Sequence, residues 1–448
     1  MRRSGAEALP FTGGLHGPGA GHEHPEVRPH PTGHRARKPQ CSHPAEDEWA
    51  FVDADVPAAV GRMLDRLLRE RLDEAGAIDA TFAEDVAGRV ARFTQGGGKR
   101  TRSQFLWWGL RGCGRGLTAE QSEAALRLAA GLELIQTCAL VHDDVMDGSS
   151  LRRGHAAVHT DLDTQYGGRE TGSPHESFGR AAAILVGDLA LAWADDVVAA
   201  THLSPGTART VRGIWEAMRT EMVAGQYLDL QGQVTGCRST AVAERVASLK
   251  SALYSVERPL AFGAALAGAG ERTTRALCSA GRCAGIAFQL RDDLFGVFGD
   301  PRLTGKPSGD DVRKGKVTYL VAVARARAAA TGKDDALALL DTAVGDSGLT
   351  EGDLDRVRSA LVATGARSIV EDKIQQVLEQ SVRHLRSAAL TPHAEKQLLE
   401  LFGTVAGVPL HAAPPGRAAG GPVAGREGDD PEPLAPEPLG LPVDGRNR

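Results

Sequence analysis

Apolar residues recur at three- and four-residue intervals through almost the whole middle of the chain. This spacing predicts helices at about 56–75, 80–94, 100–112, 118–147, 178–203, 206–232, 239–268, 271–298 and 316–331, with several more to 404. The two-residue alternation of a half-buried strand is absent, so an all-α fold is expected. A polar loop is expected over 163–179, "DTQYGGRETGSPHESFG", and Pro259 should kink its helix. Residues 1–48 and 409–448 are rich in Gly and Pro, show no apolar period and read as disordered tails. That leaves one helical domain at 49–408. Six histidines in the first tail (His16, His22, His24, His30, His34, His43) are given no role.

Composition narrows this picture. Hydrophobic residues make up 42% of the chain, enough to fill a core, while aromatics at 4% are scarce for a sheet protein. A net charge of -5 offers no global basic footprint, which argues against a nucleic-acid partner and makes any anion site local. No uninterrupted apolar run reaches the roughly 18 residues of a membrane span, and the N-terminus lacks the apolar core of a signal peptide. The six cysteines show no CxxC pair, which suits reduced thiols in a cytoplasm.

Two apolar runs end in carboxylates. In "LIQTCALVHDDVMDGSSLRRG" the acids Asp143, Asp144 and Asp147 crowd one end of one helix. In "GIAFQLRDDLFGVFGD" Gln289, Asp292 and Asp293 share a face at i, i+3 and i+4. Helices this apolar are buried on more than one side, where unpaired charge costs several kcal/mol, so something positive must offset the acids. Oxygen ligands brought together across a cavity point to magnesium bridging to phosphate oxygens. "QGGGKRTR" places Lys99, Arg100 and Arg102 beside a helix N-terminus, a diphosphate-binding arrangement. It is not a P-loop, because position 93 is Phe where that motif needs Gly and Arg100 follows the lysine. "SLKSALYS" and "TGKPSGDDVRKGK" add Lys250, Ser251, Lys306 and Lys316.

These motifs, in this order and with "GQYLD" between them, resemble those of the trans-prenyl diphosphate synthases, the polyprenyl synthetase family, over roughly residues 55–405. The resemblance is to geranylgeranyl diphosphate synthases in particular. It implies an all-α isoprenoid synthase fold, a helical bundle around a deep apolar cavity, usually a homodimer, with the two Asp-rich motifs facing each other. It implies that Asp143, Asp144, Asp147, Asp292 and Asp293 hold about three Mg2+ ions, and that Arg152 grips the allylic diphosphate. Arg153, Gly98, Lys99, Arg102 and Gln136 match the isopentenyl diphosphate set. Lys250, Ser251, Lys306 and Lys316 complete the allylic pocket, with Gln226, Asp229 and Gln289 as polar lining. The implied reaction is Mg-dependent ionisation of an allylic diphosphate followed by attack of isopentenyl diphosphate on the cation.

One departure concerns the second motif. Its third aspartate is replaced by Gly296 and the next acid is Asp300, which leaves a weaker metal site or one completed by water. Asp310 and Asp311 are the nearest acids that could help, and the reading favours an exposed loop for both. Cys138 and Ala139, five and four residues before Asp143, should point into the cavity that receives the growing tail. Both are small, so a geranylgeranyl (C20) product is expected, with farnesyl or a C25 or longer product as alternatives. A class I terpene cyclase would need no Lys99, Arg102 or Arg153, and a non-catalytic partner subunit would rest on Gly296 alone.

Overall fold

The computed structural model describes residues 49–114, 116–166, 178–299, 308–316 and 318–410. The first proposed tail, the second from residue 411 on, Lys306 and Asp300 lie outside the described residues. The rest is almost entirely helical, with helix ends close to those that the apolar period predicts. Two long helices carry the carboxylates: Ala119–Asp147, the first acidic helix, and Glu271–Phe298, the second. The first starts at a capping box between Thr118 and Gln121 and ends at Gly148 in the left-handed region. It passes the length and composition test for a membrane span, but 67% of its most apolar stretch is buried and it packs along Phe178–Ala199. Its apolarity serves the core.

The core forms two clusters. The larger gathers Phe105, Trp107, Leu128, Leu132, Ile135, Phe262 and Phe402. The smaller gathers Leu320, Leu340, Leu354, Leu361 and Ile374. The second acidic helix belongs to both, through Leu277 and Ala284 on one side and Leu290 and Val297 on the other. It therefore holds its carboxylates between two packed bodies of side chains, which fixes their position.

Three local features differ from the expected pattern. A two-stranded antiparallel hairpin, Leu151–Arg152 with His155–Ala156, is too short for any alternation to reveal it. Helix Val158–Gln165 continues into the first residues of the expected loop. The segment 239–268 is not one α-helix: Thr240–Val246 and Arg258–Leu266 flank an eleven-residue π-helical stretch, Ala247–Glu257. Pro259 stands at the change from that stretch to the α-helix. The stretch is wedged between helices that present glycines to it. A Cβ on Gly225 would meet the Lys250 backbone nitrogen at 2.7 Å, and one on Gly285 would meet Ala252 Cα at 2.5 Å. Backbone contact this close carries Lys250 and Ser251 into the space between the acidic helices.

Candidate active site

Asp143, Asp144 and Asp147 occupy the last turn of the first acidic helix, where the negative end of the helix dipole adds to their mutual repulsion. Cations from three other elements offset it. The two central residues of the hairpin turn, Arg153 and Gly154, have φ of 53° and 80°, as a tight two-residue hairpin requires. This turn sends Arg152 back onto the helix end. Its Nε donates to Asp144 Oδ1 at 2.9 Å and Oδ2 at 3.1 Å, and its Nη2 donates to Asp143 Oδ2 at 3.0 Å. Lys250 Nζ donates to Asp143 Oδ1 at 3.1 Å and Asp229 Oδ2 at 2.8 Å. Gln226 Nε2 lies 3.4 Å from Asp143 Oδ1. Lys316 Nζ pairs with Asp147 Oδ2 at 2.7 Å.

The charges follow from these contacts. Burial works against ionising Asp143, but Lys250, Lys316 and Arg152 outweigh it and hold its carboxyl below the usual range. Burial likewise opposes the charge on Lys316, and Asp311, Asp147 and Asp143 reverse the effect and raise it. Asp147 Oδ1 is buried and accepts no hydrogen bond.

On the second acidic helix, Gln289 Nε2 donates to Asp293 Oδ1 at 2.8 Å, the Tyr319 N–H donates to Asp293 Oδ2 at 3.2 Å, and Ser251 donates to Gln289 Oε1. Burial pushes the Asp293 carboxyl up to about 7; the Gln289 hydrogen bond opposes this, and the neighbouring Asp311 and Asp292 add to it. The folded-state value thus lies above the unfolded one, so ionised Asp293 costs stability as the pH rises towards and through about 7. The metal-free protein is expected to be about 1.4 kcal/mol less stable at pH 8 than at pH 6 from this group. Asp293→Asn should remove that step in urea unfolding curves, and a step of the same size in the variant would contradict the assignment.

The sites open onto adjoining cavities. Asp143, Asp229, Lys250, Gln289, Asp292, Asp293, Asp311 and Lys316 line one polar cavity of about 140 Å³. Asp311 therefore faces the acidic helices, which corrects its reading as an exposed loop acid, whereas Asp310 pairs with Lys314 at the rim and does not line that cavity. A larger, mostly apolar cavity of about 430 Å³ runs past Gln136, Cys138, Ala139, Met222 and Tyr254. A third, of about 400 Å³, is lined by Lys99, Thr101, Arg102, Arg291 and Phe295. Arg102, Ser255, Phe288 and Asp292 line both of the last two, so the two cavities adjoin there. Arg102 Nη2 donates to Ser255 Oγ at 2.7 Å, with its guanidinium 4.6 Å from the centre of the Tyr254 ring.

Not every residue matched by resemblance joins these cavities. Arg152 and Arg153 line a separate cavity with Arg89, Arg92 and His155. Arg153 reaches the glycine run, donating to the Gly97 carbonyl at 2.7 Å and lying 3.2 Å from where a Gly98 Cβ would stand. Gln136 lines the apolar cavity rather than the one around Lys99, and its Oε1 is buried without a hydrogen bond. Sequence reasoning gave Tyr254 and Ser255 no role, although both stand in "SLKSALYS". It also passed over Lys314, whose Nζ ties the loop to Ser149 Oγ at 2.6 Å.

Among the described residues, no three His, Cys, Asp or Glu side chains converge as a ready-made metal cage. Asp143, Asp144 and Asp147 of the first acidic helix are instead held by lysine and arginine, and Asp293 by Gln289 and the Tyr319 N–H. The donor set still fits a hard divalent ion: it is all oxygen, it comes from two facing helices, and buried Asp147 Oδ1 has no partner.

Comparison with known proteins agrees with this geometry. The polyprenyl synthetase profile matches residues 85–353. A geranylfarnesyl diphosphate synthase of Aeropyrum pernix is 31% identical over 320 residues, 71% of this chain and 92% of that protein. A geranylgeranyl diphosphate synthase of Methanosarcina mazei is 28% identical, over 58% of this chain and 76% of its own. The crystal structure of geranylgeranyl pyrophosphate synthase from Corynebacterium glutamicum, complexed with isoprenyl diphosphate and magnesium, superposes with a TM-score of 0.71 at 35% identity, covering 78% of this chain and 98% of that one. The family profile spans both acidic helices and the loop behind them, and the chain is therefore an enzyme of the prenyl diphosphate synthase type that belongs to the polyprenyl synthetase family.

Proposed function

We propose that this enzyme condenses isopentenyl diphosphate with allylic diphosphates and releases mainly geranylgeranyl diphosphate. The observation that carries this is the arrangement of cavities: a polar one bordered by both acidic helices beside an apolar one lined by Cys138 and Ala139. Asp143, Asp144, Asp147, Asp292 and Asp293 would hold Mg2+, which supplies positive charge to the departing pyrophosphate. Lys250 and Lys316, already within the polar cavity, add fixed positive charge there, with Arg152 on the far side of Asp143 and Asp144. The apolar cavity takes the prenyl tail and excludes water from the cation left when the allylic C–O bond breaks. Lys99 and Arg102 hold isopentenyl diphosphate in the neighbouring cavity, and its double bond meets the cation where the two cavities join, beside Arg102, Ser255 and Phe288. Phe288 there has no group to accept a proton, and the proton lost after bond formation goes to the released pyrophosphate.

The five described cysteines form no disulfide, which suits a reducing compartment. A homodimer belongs to this reading: Val223 and Tyr227, 63% and 65% exposed at the apolar cavity, are a surface that a second copy would cover. The test is incubation of purified protein with magnesium, labelled isopentenyl diphosphate and, separately, C5, C10 and C15 allylic diphosphates, resolving chain lengths after dephosphorylation. A C20 product is expected. A different chain length would overturn the product assignment, and no incorporation by folded protein would overturn the synthase reading.

A further inference from the structure

A third carboxylate on the second acidic helix would project from position 296, four residues after Asp292 on the same face, and that residue is glycine. The space beside it is not empty. A Cβ built on Gly296 would come within 2.8 Å of Asp311 Oδ2. Asp311 belongs to a single helical turn, Asp310–Arg313, in the loop that folds back over the end of the same helix.

Several bonds hold that loop in place. The Gly309 N–H donates to the Gly296 carbonyl at 2.7 Å, and Ser308 Oγ donates to the Val297 carbonyl at 3.0 Å. Arg313 Nη1 donates to the Ser308 carbonyl at 2.7 Å, and the Lys316 N–H donates to the Asp311 carbonyl at 2.9 Å. The backbone on both sides of Asp311 is thus tied down, and its side chain is directed into the polar cavity that holds Asp143, Asp292 and Asp293. Its Oδ1 lies 3.7 Å from Lys316 Nζ, the ammonium that also pairs with Asp147 on the facing helix.

We propose that Asp311 is the third carboxylate of the second acidic site, supplied from the loop because position 296 has no side chain, and that it helps to hold a divalent cation at the substrate diphosphate. This rests on the reading of the site as a metal-dependent diphosphate site. A side chain at 296 would press on Asp311 Oδ2, the free end of a side chain that can turn aside, so Gly296→Asp is combined with removal of Asp311 to read position 296 by itself.

Equilibrium dialysis of the full chain against Mn2+ with inorganic pyrophosphate tests the assignment without reference to turnover. Asp311→Asn is expected to weaken Mn2+ retention about tenfold or more, while Asp310→Asn, whose carboxylate pairs with Lys314 outside the cavity, matches the parent protein. The double variant Gly296→Asp/Asp311→Gly should recover most of the lost Mn2+ retention. Equal retention by Asp311→Asn and the parent overturns the proposal. So does a double variant that melts like the parent and still fails to recover, because Asp311 would then support the loop rather than the ion. A parent protein that retains no Mn2+ overturns the metal-site reading itself.

Discussion

Asparagine at position 143 is expected to lower isopentenyl incorporation about a thousandfold. Asp143 is the carboxylate on which three elements converge: Arg152 from the hairpin, Lys250 from the π-helical stretch and Gln226 from helix Pro205–Thr235. Its pKa is held down by those cations, so it is a full negative charge at any pH the enzyme would meet. Asn keeps the shape and removes the charge. The fold should survive, because Lys250 keeps Asp229 and Arg152 keeps Asp144 as partners. Labelled-substrate incorporation, beside a thermal melt within a few degrees of the parent, is the check. A loss of less than about tenfold would remove Asp143 from the ionising machinery.

Phenylalanine at position 139 should change what is made more than how fast. Ala139 and its neighbour Cys138 line the apolar cavity of about 430 Å³ on the first acidic helix, in the turn before the aspartates. A ring there takes up tail volume, and the main product is expected to move from C20 towards C15. Chromatography of the dephosphorylated products reads this directly, and an unchanged distribution would mean that the tail runs along another wall. Cys138→Phe is the harsher version, because Cys138 is 3% exposed and its Sγ sits 3.7 Å from His142 Nδ1. Burial, with Asp188 adding to it, pushes the Cys138 thiol up to about 12, so it acts as a small neutral wall and not as a nucleophile.

Much of this was readable before any coordinates, for a physical reason. A buried helix that ends in carboxylates breaks the ordinary relation between burial and polarity, and that conflict is local to a few residues, as at Val141–Asp144 and Leu290–Asp293. Lys250 and Lys316 were found because they stand in short motifs with fixed order along the chain. The π-helical stretch was not found, since eleven residues are too few to separate a wider turn from an α-helical one by apolar period. Asp311 was misread because its burial depends on what lies at Gly296, fifteen residues earlier, and on the loop bonds that bring the two together. The Arg152 contacts depend likewise on a turn that no alternation marks.

The lysine and arginine bridges across the aspartates have a thermodynamic consequence. In the absence of substrate Asp143, Asp144 and Asp147 of the first acidic helix each already have a cation for a partner, and Arg152, Lys250 and Lys316 each have a carboxylate. A divalent ion arriving alone must compete with Lys316 and Lys250 for Asp147 and Asp143, and a diphosphate arriving alone must draw those cations away from acids that would then face it uncompensated. When both arrive, the exchange would balance: the ion would take the carboxylates and the freed ammonium and guanidinium groups the phosphate oxygens. On the proposed reading each ligand would raise the affinity for the other by the same factor, and the pair would bind as one salt, reluctantly in halves.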